Sequence, residues 1–293
     1  MTPIILLHHN EINFLQKCIK SILANTKSKY EIIIIDNNSN KNTVELLKKK
    51  FFRKYKIIFN KKDNWVYGFN LGIDSIKYSW NRIVLSDADI IFKKTKSGKC
   101  WLQYMHKQLN EFPIIGKLGI SLNTHLLEKH KSLKKIMIRE QRYKNSYKIG
   151  NNIIAPTDTT AAIYRKDLFI TNKFKMQLGH TSLIKPYYYS CRTGKKLECI
   201  HLGWSKYLQM IKNNNIEGID MIREKAWFFC KFNRTIEYPL LKKLGFIERN
   251  LIKSLAKFYY KPKIAILFIF IWFLYVVKNF PLNYNEIQKK NNF

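Results

Sequence analysis

Two aspartates separated by one alanine, Asp87 and Asp89, stand in the run Ser86-Asp87-Ala88-Asp89 between the apolar stretches 81–85 and 90–92. Carboxylates that close repel each other, and a hard divalent cation held by oxygen ligands relieves the repulsion while bridging a diphosphate. The spacing points to a metal–diphosphate site, although Asp-x-Asp also arises by chance in loops. Asp36 ends a run of four isoleucines and is followed by Asn37, Asn38 and Ser39. A carboxylate there can accept from a ribose hydroxyl or a base N–H, or it can cap the next helix; both readings stand. Residues 63–72 place Asn64, Asn70, Gly68 and Gly72 around a loop that opens a helix, where backbone can approach a ligand closely. The loop has neither GxxxxGK[ST] nor GxGxxG, which speaks against a P-loop nucleotidase and a dinucleotide-binding dehydrogenase.

Alternating crossover units must position these groups. Strands are predicted over 3–7, 31–35, 56–59 and 81–85, and helices over 11–24, 43–50 and 70–78. Four consecutive isoleucines mark a strand buried on both faces, as parallel sheets require. In such sheets ligands sit outside the carboxyl ends of the strands, and those ends carry His8, Asp36 and Asp87. Residues 94–150 are lysine-rich, with apolar residues at 101–109 and 133–138 that suit surface helices. Clear apolar patterns return at 153–165, read as one strand, and at 197–204.

The chain has 293 residues, is 46% hydrophobic and carries a net charge of +33, so it has enough apolar content for a core and is drawn to polyanions. Abundant lysine at plain surface positions accounts equally well for part of that charge. Five cysteines without a CxxC pair argue against a disulfide framework and suit a reducing cytosol. The opening MTPIILLHHN lacks a basic region before its apolar residues and reads as a first strand, not a secretory signal. Near the end, 264–277 is a run of fourteen apolar residues between Lys263 and Lys278. As a helix it measures roughly 21 Å, short of the about 30 Å of a bilayer core. Its aromatic and lysine flanks suit a helix lying in the interface of an anionic membrane; a buried core helix and a tilted span completed with Phe280 and Leu282 are the alternatives.

Residues 3–92 resemble the nucleotide-sugar half of a family 2 glycosyltransferase with the GT-A fold. Four ordered motifs carry the likeness: Leu7-His8-His9-Asn10-Glu11, Ile35-Asp36-Asn37-Asn38-Ser39, the loop 64–72, and Asp87-Ala88-Asp89. The resemblance implies an α/β fold, a Rossmann-like mixed sheet flanked by helices over 1–205, with a helical C-terminal extension over 206–293. It implies that His8 and Glu11 border the nucleotide and that Asp36 meets the base or ribose, with Asn38, Asn64, Gly68 and Asn70 around it. By the same resemblance Asp87 faces the ribose and Asp89 holds Mn2+ or Mg2+. The family usually has Thr or Pro near His8 and His9, and Thr-Asp where this chain has Asn40 and Lys41.

Many relatives carry a Glu-Asp pair that supplies the catalytic base, and none follows residues 155–165 here. Asp158, in a stretch resembling the Asp-Thr-Thr of a subset of these enzymes, is the leading candidate, with an acceptor-binding or structural role as the alternative, and Glu198 is the reserve. Such a base takes the acceptor hydroxyl proton as that oxygen attacks the anomeric carbon. The subset also has His-Leu-x-Trp, matched by His201-Leu202-Gly203-Trp204, which makes His201 a second metal ligand; a packed histidine is the alternative. Arg192 and Lys195 either close over the diphosphate or are solvated surface cations. The expected activity is metal-dependent, inverting transfer from a nucleotide-diphosphate sugar, UDP-sugar favoured, to a surface-glycan or lipid-linked saccharide at the cytoplasmic face of a membrane. No nucleic-acid-binding signature supports the charge-based alternative of a nucleic-acid binder, and a catalytically silent transferase-like scaffold is the third reading.

Overall fold

Strand and helix alternate through the first ladder as β1 (Thr2–His8), α1 (Ile12–Asn25), β2 (Tyr30–Asp36), α2 (Lys41–Phe51), β3 (Lys56–Phe59), α3 (Phe69–Asp74) and β4 (Arg82–Asp87). The computed structural model describes residues 1–155, 157, 159–166 and 189–219, with Ile247, Glu248, Leu251, Ser254, Leu255, Ile266 and Ile269. Strands β3, β2, β1 and β4 lie side by side and parallel. All four isoleucines of β2 are buried, because helices cover both faces of a parallel sheet. Helix α1 turns Leu15, Cys18, Ile19 and Ile22 into the core, and α2 does the same with Leu47 and Phe51. Asn40 caps α2 by accepting from the Thr43 amide at 2.9 Å. Helix α3 packs so closely that a Cβ on Gly72 would stand 2.8 Å from Ile5 Cγ2.

The second part of the chain continues as β5 (Ile90–Ile91), α4 (Trp101–Glu111), β6 (Ile115–Gly119), β7 (Ser121–Leu122), α5 (His125–Glu128) and α6 (Lys134–Gln141). Then come β8 (Lys148–Ile149), β9 (Asn152–Ile154), β10 (Ala161–Arg165), β11 (Tyr189–Thr193), β12 (Glu198–His201) and α7 (Gly203–Lys212). The large sheet runs β3-β2-β1-β4-β10-β6-β11-β9-β8, with β10 antiparallel to both neighbours. A second, three-stranded sheet has the order β5-β12-β7. This is the expected α/β architecture, a mixed sheet flanked by helices.

Most element ends shift by one or two residues from the sequence reading, and three differences matter here. The fourth strand reaches Asp87, because Ser86 and Asp87 still pair with Leu6 and Leu7 of β1. Helix α3 ends at Asp74, not 78, where the Ser75 hydroxyl donates to the Gly72 carbonyl at 2.7 Å and competes with a further helical turn. The strand expected over 153–165 is two strands, β9 and β10, separated in the sheet by β11 and β6. The sequence between them contains a proline, a residue with no N–H to give a ladder.

The chain divides into two compact units, Met1–Ser205 with Leu282–Phe293, and Lys206–Pro281. Of the segment 264–277 only Ile266 and Ile269 are described; both are helical and about two-thirds exposed, at 68% and 67%. Among the described residues no helix is long and apolar enough to cross a membrane. Cys18, Cys100, Cys191 and Cys199 are buried and in no disulfide, and burial pushes the Cys191 thiol up to about 12.

His106 on α4 ties that helix to the starts of β1 and β4. Arg82 Nη1 donates to its Nδ1 at 3.1 Å, which leaves the ring proton on Nε2, donating to Thr2 Oγ1 at 2.9 Å. Burial, reinforced by the Arg82 charge, lowers His106 from 6.5 to about 4. The unfolded chain therefore binds a proton that the folded chain refuses. The neutral ring's contribution is intact above pH 6.5 and is lost as pH falls toward 4. Urea midpoints should decline across that window, and His106→Gln should flatten the decline; an equal slope in the variant would remove His106 as its source.

Candidate active site

Three neighbouring strands end at one level. His8 on β1 stands opposite Asp36 on β2, and Leu7 stands opposite Asp87 on β4. Asp36 and Asp87 are thus two strands apart, about 10 Å at ordinary strand spacing. His8 Nδ1 donates to Asp36 Oδ1 at 3.1 Å, and both residues are buried. The Ser39 hydroxyl donates to the same oxygen at 2.5 Å, and the Ser39 amide to Oδ2 at 3.1 Å. Burial alone would raise the Asp36 carboxyl; the hydrogen bonds from His8 and Ser39 outweigh it and hold it below the usual carboxylate range.

The adjoining loop is organised by Asn37, which the sequence reading passes over in favour of Asn38. Asn37 Oδ1 accepts from Asn60 Nδ2 at 2.7 Å and from the Asn64 amide at 3.1 Å, while its Nδ2 donates to Asp63 at 2.6 Å. A Cβ on Gly68 would stand 2.9 Å from that same Asn37 oxygen, so glycine is what allows the loop to close on β2. Asn38 is exposed at φ 66° and forms the turn itself. Asn70 Oδ1 is buried without a hydrogen-bond partner. Glu11 precedes α1, and its carbonyl accepts from the Phe14 and Leu15 amides.

Past Asp87 the chain leaves the large sheet, turns through Ala88 and Asp89, and enters the small one as β5. The turn is pinned on both sides: the Ala88 amide donates to the Leu7 carbonyl at 3.0 Å, and the Leu202 amide to the Asp89 carbonyl at 2.8 Å. Thr160, at the mouth of β10, accepts from the Asp87 amide at 3.3 Å and the Ser86 hydroxyl at 2.8 Å. Strand β12 pairs antiparallel with β5, which sets His201 opposite Ile90 and brings its Nδ1 to 3.4 Å from Asp89 Oδ2. Ligand atoms of Asp87, Asp89 and His201 all lie within 4.8 Å of one another. Trp204 stacks on the His201 ring, centroids 5.2 Å apart and planes 3° from parallel. Asp89 Oδ1 and His201 Nδ1 are buried and lack hydrogen-bond partners.

Those orphaned atoms fit a divalent cation. Two carboxylates with one imidazole suit a borderline ion such as Mn2+ better than Mg2+, which prefers oxygen alone. Gly203 leaves the space: a Cβ there would fall 2.4 Å from Asp89 Oδ2 and 2.7 Å from His201 Cε1. Cys18 is not one of the residues whose ligand atoms converge here; burial, with the Asp89 charge second, pushes its thiol up.

The remaining candidates are placed differently. Arg192 sits on β11, three strands from β4, with its guanidinium on Glu140 at 2.8 Å. Lys195 is exposed in the turn before β12. Strand alternation sets Glu198 on the opposite face of β12 from His201, and it accepts from Asn123 at 3.3 Å. Asp158 lies outside the described residues. Its neighbour Thr157 is buried, accepts from Lys117 Nζ through its carbonyl, and meets Ser190 Oγ at 2.9 Å.

The model of glycosyl transferase family 2 matches residues 4–171. A comparison with curated protein sequences finds no match. Among solved structures, the mannosyltransferase PcManGT of Pyrobaculum calidifontis, in complex with GDP-Man and Mn2+, is similar at 10% identity and a TM-score of 0.46, over 69% of this chain and 56% of that one. TarS of S. aureus is similar at 16% identity and a TM-score of 0.44, over 68% and 36%. GalNAc-T7 with UDP, GalNAc and Mn2+ is similar at 12% and 0.47, over 69% and 43%. The matched region thus spans less than two thirds of each of these structures.

Gly203→Ala should weaken Mn2+ binding by about ten- to a hundredfold, the usual cost of disturbing a ligand's support. Calorimetric titration with Mn2+, beside a far-UV spectrum to verify the fold, checks this. Unaltered affinity would show that the three side chains are not a metal site.

Proposed function

The chain belongs to glycosyl transferase family 2, and on that premise we propose that it transfers a sugar from a nucleotide-diphosphate donor to a saccharide acceptor, with inversion. The observation that carries this reading is the convergence of Asp87, Asp89 and His201 beside the Asp36 strand end. Asp36 and Asp87 end strands two apart in the same parallel sheet, which supports one ligand meeting both. A divalent cation held by Asp87, Asp89 and His201, when bound, supplies charge neutralisation to the departing diphosphate. Asp158 takes the proton of the acceptor hydroxyl as that oxygen attacks the anomeric carbon. Its sequence neighbours Thr157, Thr159 and Thr160 are buried, which supports a place for this stretch in the fold's interior rather than on an open surface loop. Trp204 keeps the His201 ring in one orientation.

The acceptor belongs to a surface-glycan or lipid-linked class, and the protein works at the cytoplasmic face of an anionic membrane. Net charge +33 and the apolar segment 264–277 support this. So do the helical positions Ile247, Leu251 and Leu255, spaced four apart and exposed by 80%, 61% and 58%.

A thermal-shift screen of nucleotide sugars with and without Mn2+ should show one donor that raises the melting temperature only with the metal. Asp158→Asn should then lower turnover of that donor by about 10²–10⁴ while its metal-dependent binding persists. Failure of every donor to bind would reject the reading; full activity in Asp158→Asn would assign the base elsewhere. Vesicles containing anionic lipid should sediment the protein and release it at high salt, whereas neutral vesicles should not.

A further inference from the structure

Six of the nine residues from Lys48 to Lys56 are cations and none is an acid, in a chain with 53 lysines and arginines among 293 residues. Two of the six are committed within the protein. Lys48 Nζ lies over the Phe59 ring, 5.6 Å from its centroid, and Lys56 Nζ donates to the Ser75 carbonyl. Lys49, Lys50, Arg53 and Lys54 are exposed, and among the described residues none of them pairs with a carboxylate, not even Lys49 with Glu45 one turn before it. The dipole of α2 accounts for Lys49 and Lys50 in its last turn, but Arg53 and Lys54 stand beyond the helix. Nor is the charge alone. Phe51 turns into the core, whereas Phe52 is 61% exposed, the one exposed phenylalanine among the described residues. Leu46, on the same face of α2 as Lys49 and Lys50, is exposed as well.

Resting on the membrane reading above, we propose that this end of α2 is a docking surface for an anionic bilayer, with Phe52 and Leu46 entering the interface and Lys49, Lys50, Arg53 and Lys54 meeting lipid phosphates. Its place in the fold excludes service to the donor. Helix α2 leads into β3 at the amino end of the parallel strands, and His8, Asp36 and Asp87 stand at the carboxyl ends. A bilayer interface offers what both parts of the cluster need, negative charge for the four cations and apolar depth for the two hydrophobic side chains, over which lysine stems also spread. A second copy of a chain of net charge +33 is repelled. A nucleic acid answers the cations and can stack a base on Phe52, but it offers nothing to Leu46. The loop 93–99 makes the contrast within the same molecule: Lys93, Lys94, Lys96 and Lys99 are exposed there, and no large hydrophobic side chain is exposed beside them.

Sedimentation of the full chain with vesicles of phosphatidylcholine containing phosphatidylglycerol tests this, with far-UV spectra to verify the fold of each variant. Replacing Lys49, Lys50, Arg53 and Lys54 together by Gln should weaken partitioning at least about a hundredfold, at about fivefold for each cation near the surface. The same replacement of Lys93, Lys94, Lys96 and Lys99 removes equal charge and should cost far less. Phe52→Ser should weaken partitioning about tenfold, and this factor should persist in high salt, where the effect of the cations fades. Full binding by either the four-Gln variant of α2 or Phe52→Ser, or equal losses in the two four-Gln variants, would overturn the docking surface and leave the membrane reading standing. Tighter binding to a single-stranded RNA oligonucleotide than to the vesicles, lost in the α2 variant, would assign the surface to nucleic acid and overturn it too. Failure of the unaltered chain to bind anionic vesicles at all would overturn both.

Discussion

Two carboxylates gathered within 4.8 Å of each other, with one imidazole beside them, are poor neighbours unless backbone forces them together. Their mutual repulsion, at an effective dielectric of about 20, amounts to a few kcal/mol. It is tolerated because the turn bearing Asp89 is fastened on two sides that do not depend on the side chains. The Leu7 carbonyl holds it from the large sheet and the Leu202 amide holds it from the small one. Thr160 adds a third attachment through β10. The acidic pair is thus kept ready for positive charge by hydrogen bonds made at some distance from the charge itself.

Behind that turn the parallel half of the sheet does the positioning. Ile32 to Ile35 are buried on both faces, so β2 is held by packing from both sides of the sheet. Register in turn decides chemistry, because His8 meets Asp36 only while Ile4 faces Ile32. Glycines permit the close approaches that complete the frame. Gly72 lets α3 rest on Ile5, and Gly68 lets the following loop reach Asn37.

Much of this is legible in the chain because strands of a parallel sheet write themselves as apolar runs. The four strands of the first ladder, and the fact that His8, Asp36 and Asp87 end three of them, follow from pattern alone. Helix α3 reads as too long because apolar spacing does not reveal that Ser75 turns its hydroxyl back on Gly72. The run 153–165 reads as one strand because pattern does not say where a chain leaves one neighbour for another. Asn37 escapes notice for a different reason. An asparagine in a turn looks the same whether it faces water or binds three partners, and only burial distinguishes it from Asn38. That His201 joins Asp89 is legible only through the resemblance, on His201-Leu202-Gly203-Trp204, and not from apolar pattern. That contact rests on the short ladder between β5 and β12, two strands too brief to carry a signal of their own.

The sign of the local charge matters against the background of the whole molecule. A surface of net charge +33 attracts any phosphorylated solute, and attraction of that kind does not discriminate among them. Asp87 and Asp89 place negative charge at one spot within that positive field, and a divalent cation, were one held there by these carboxylates and His201, would neutralise it.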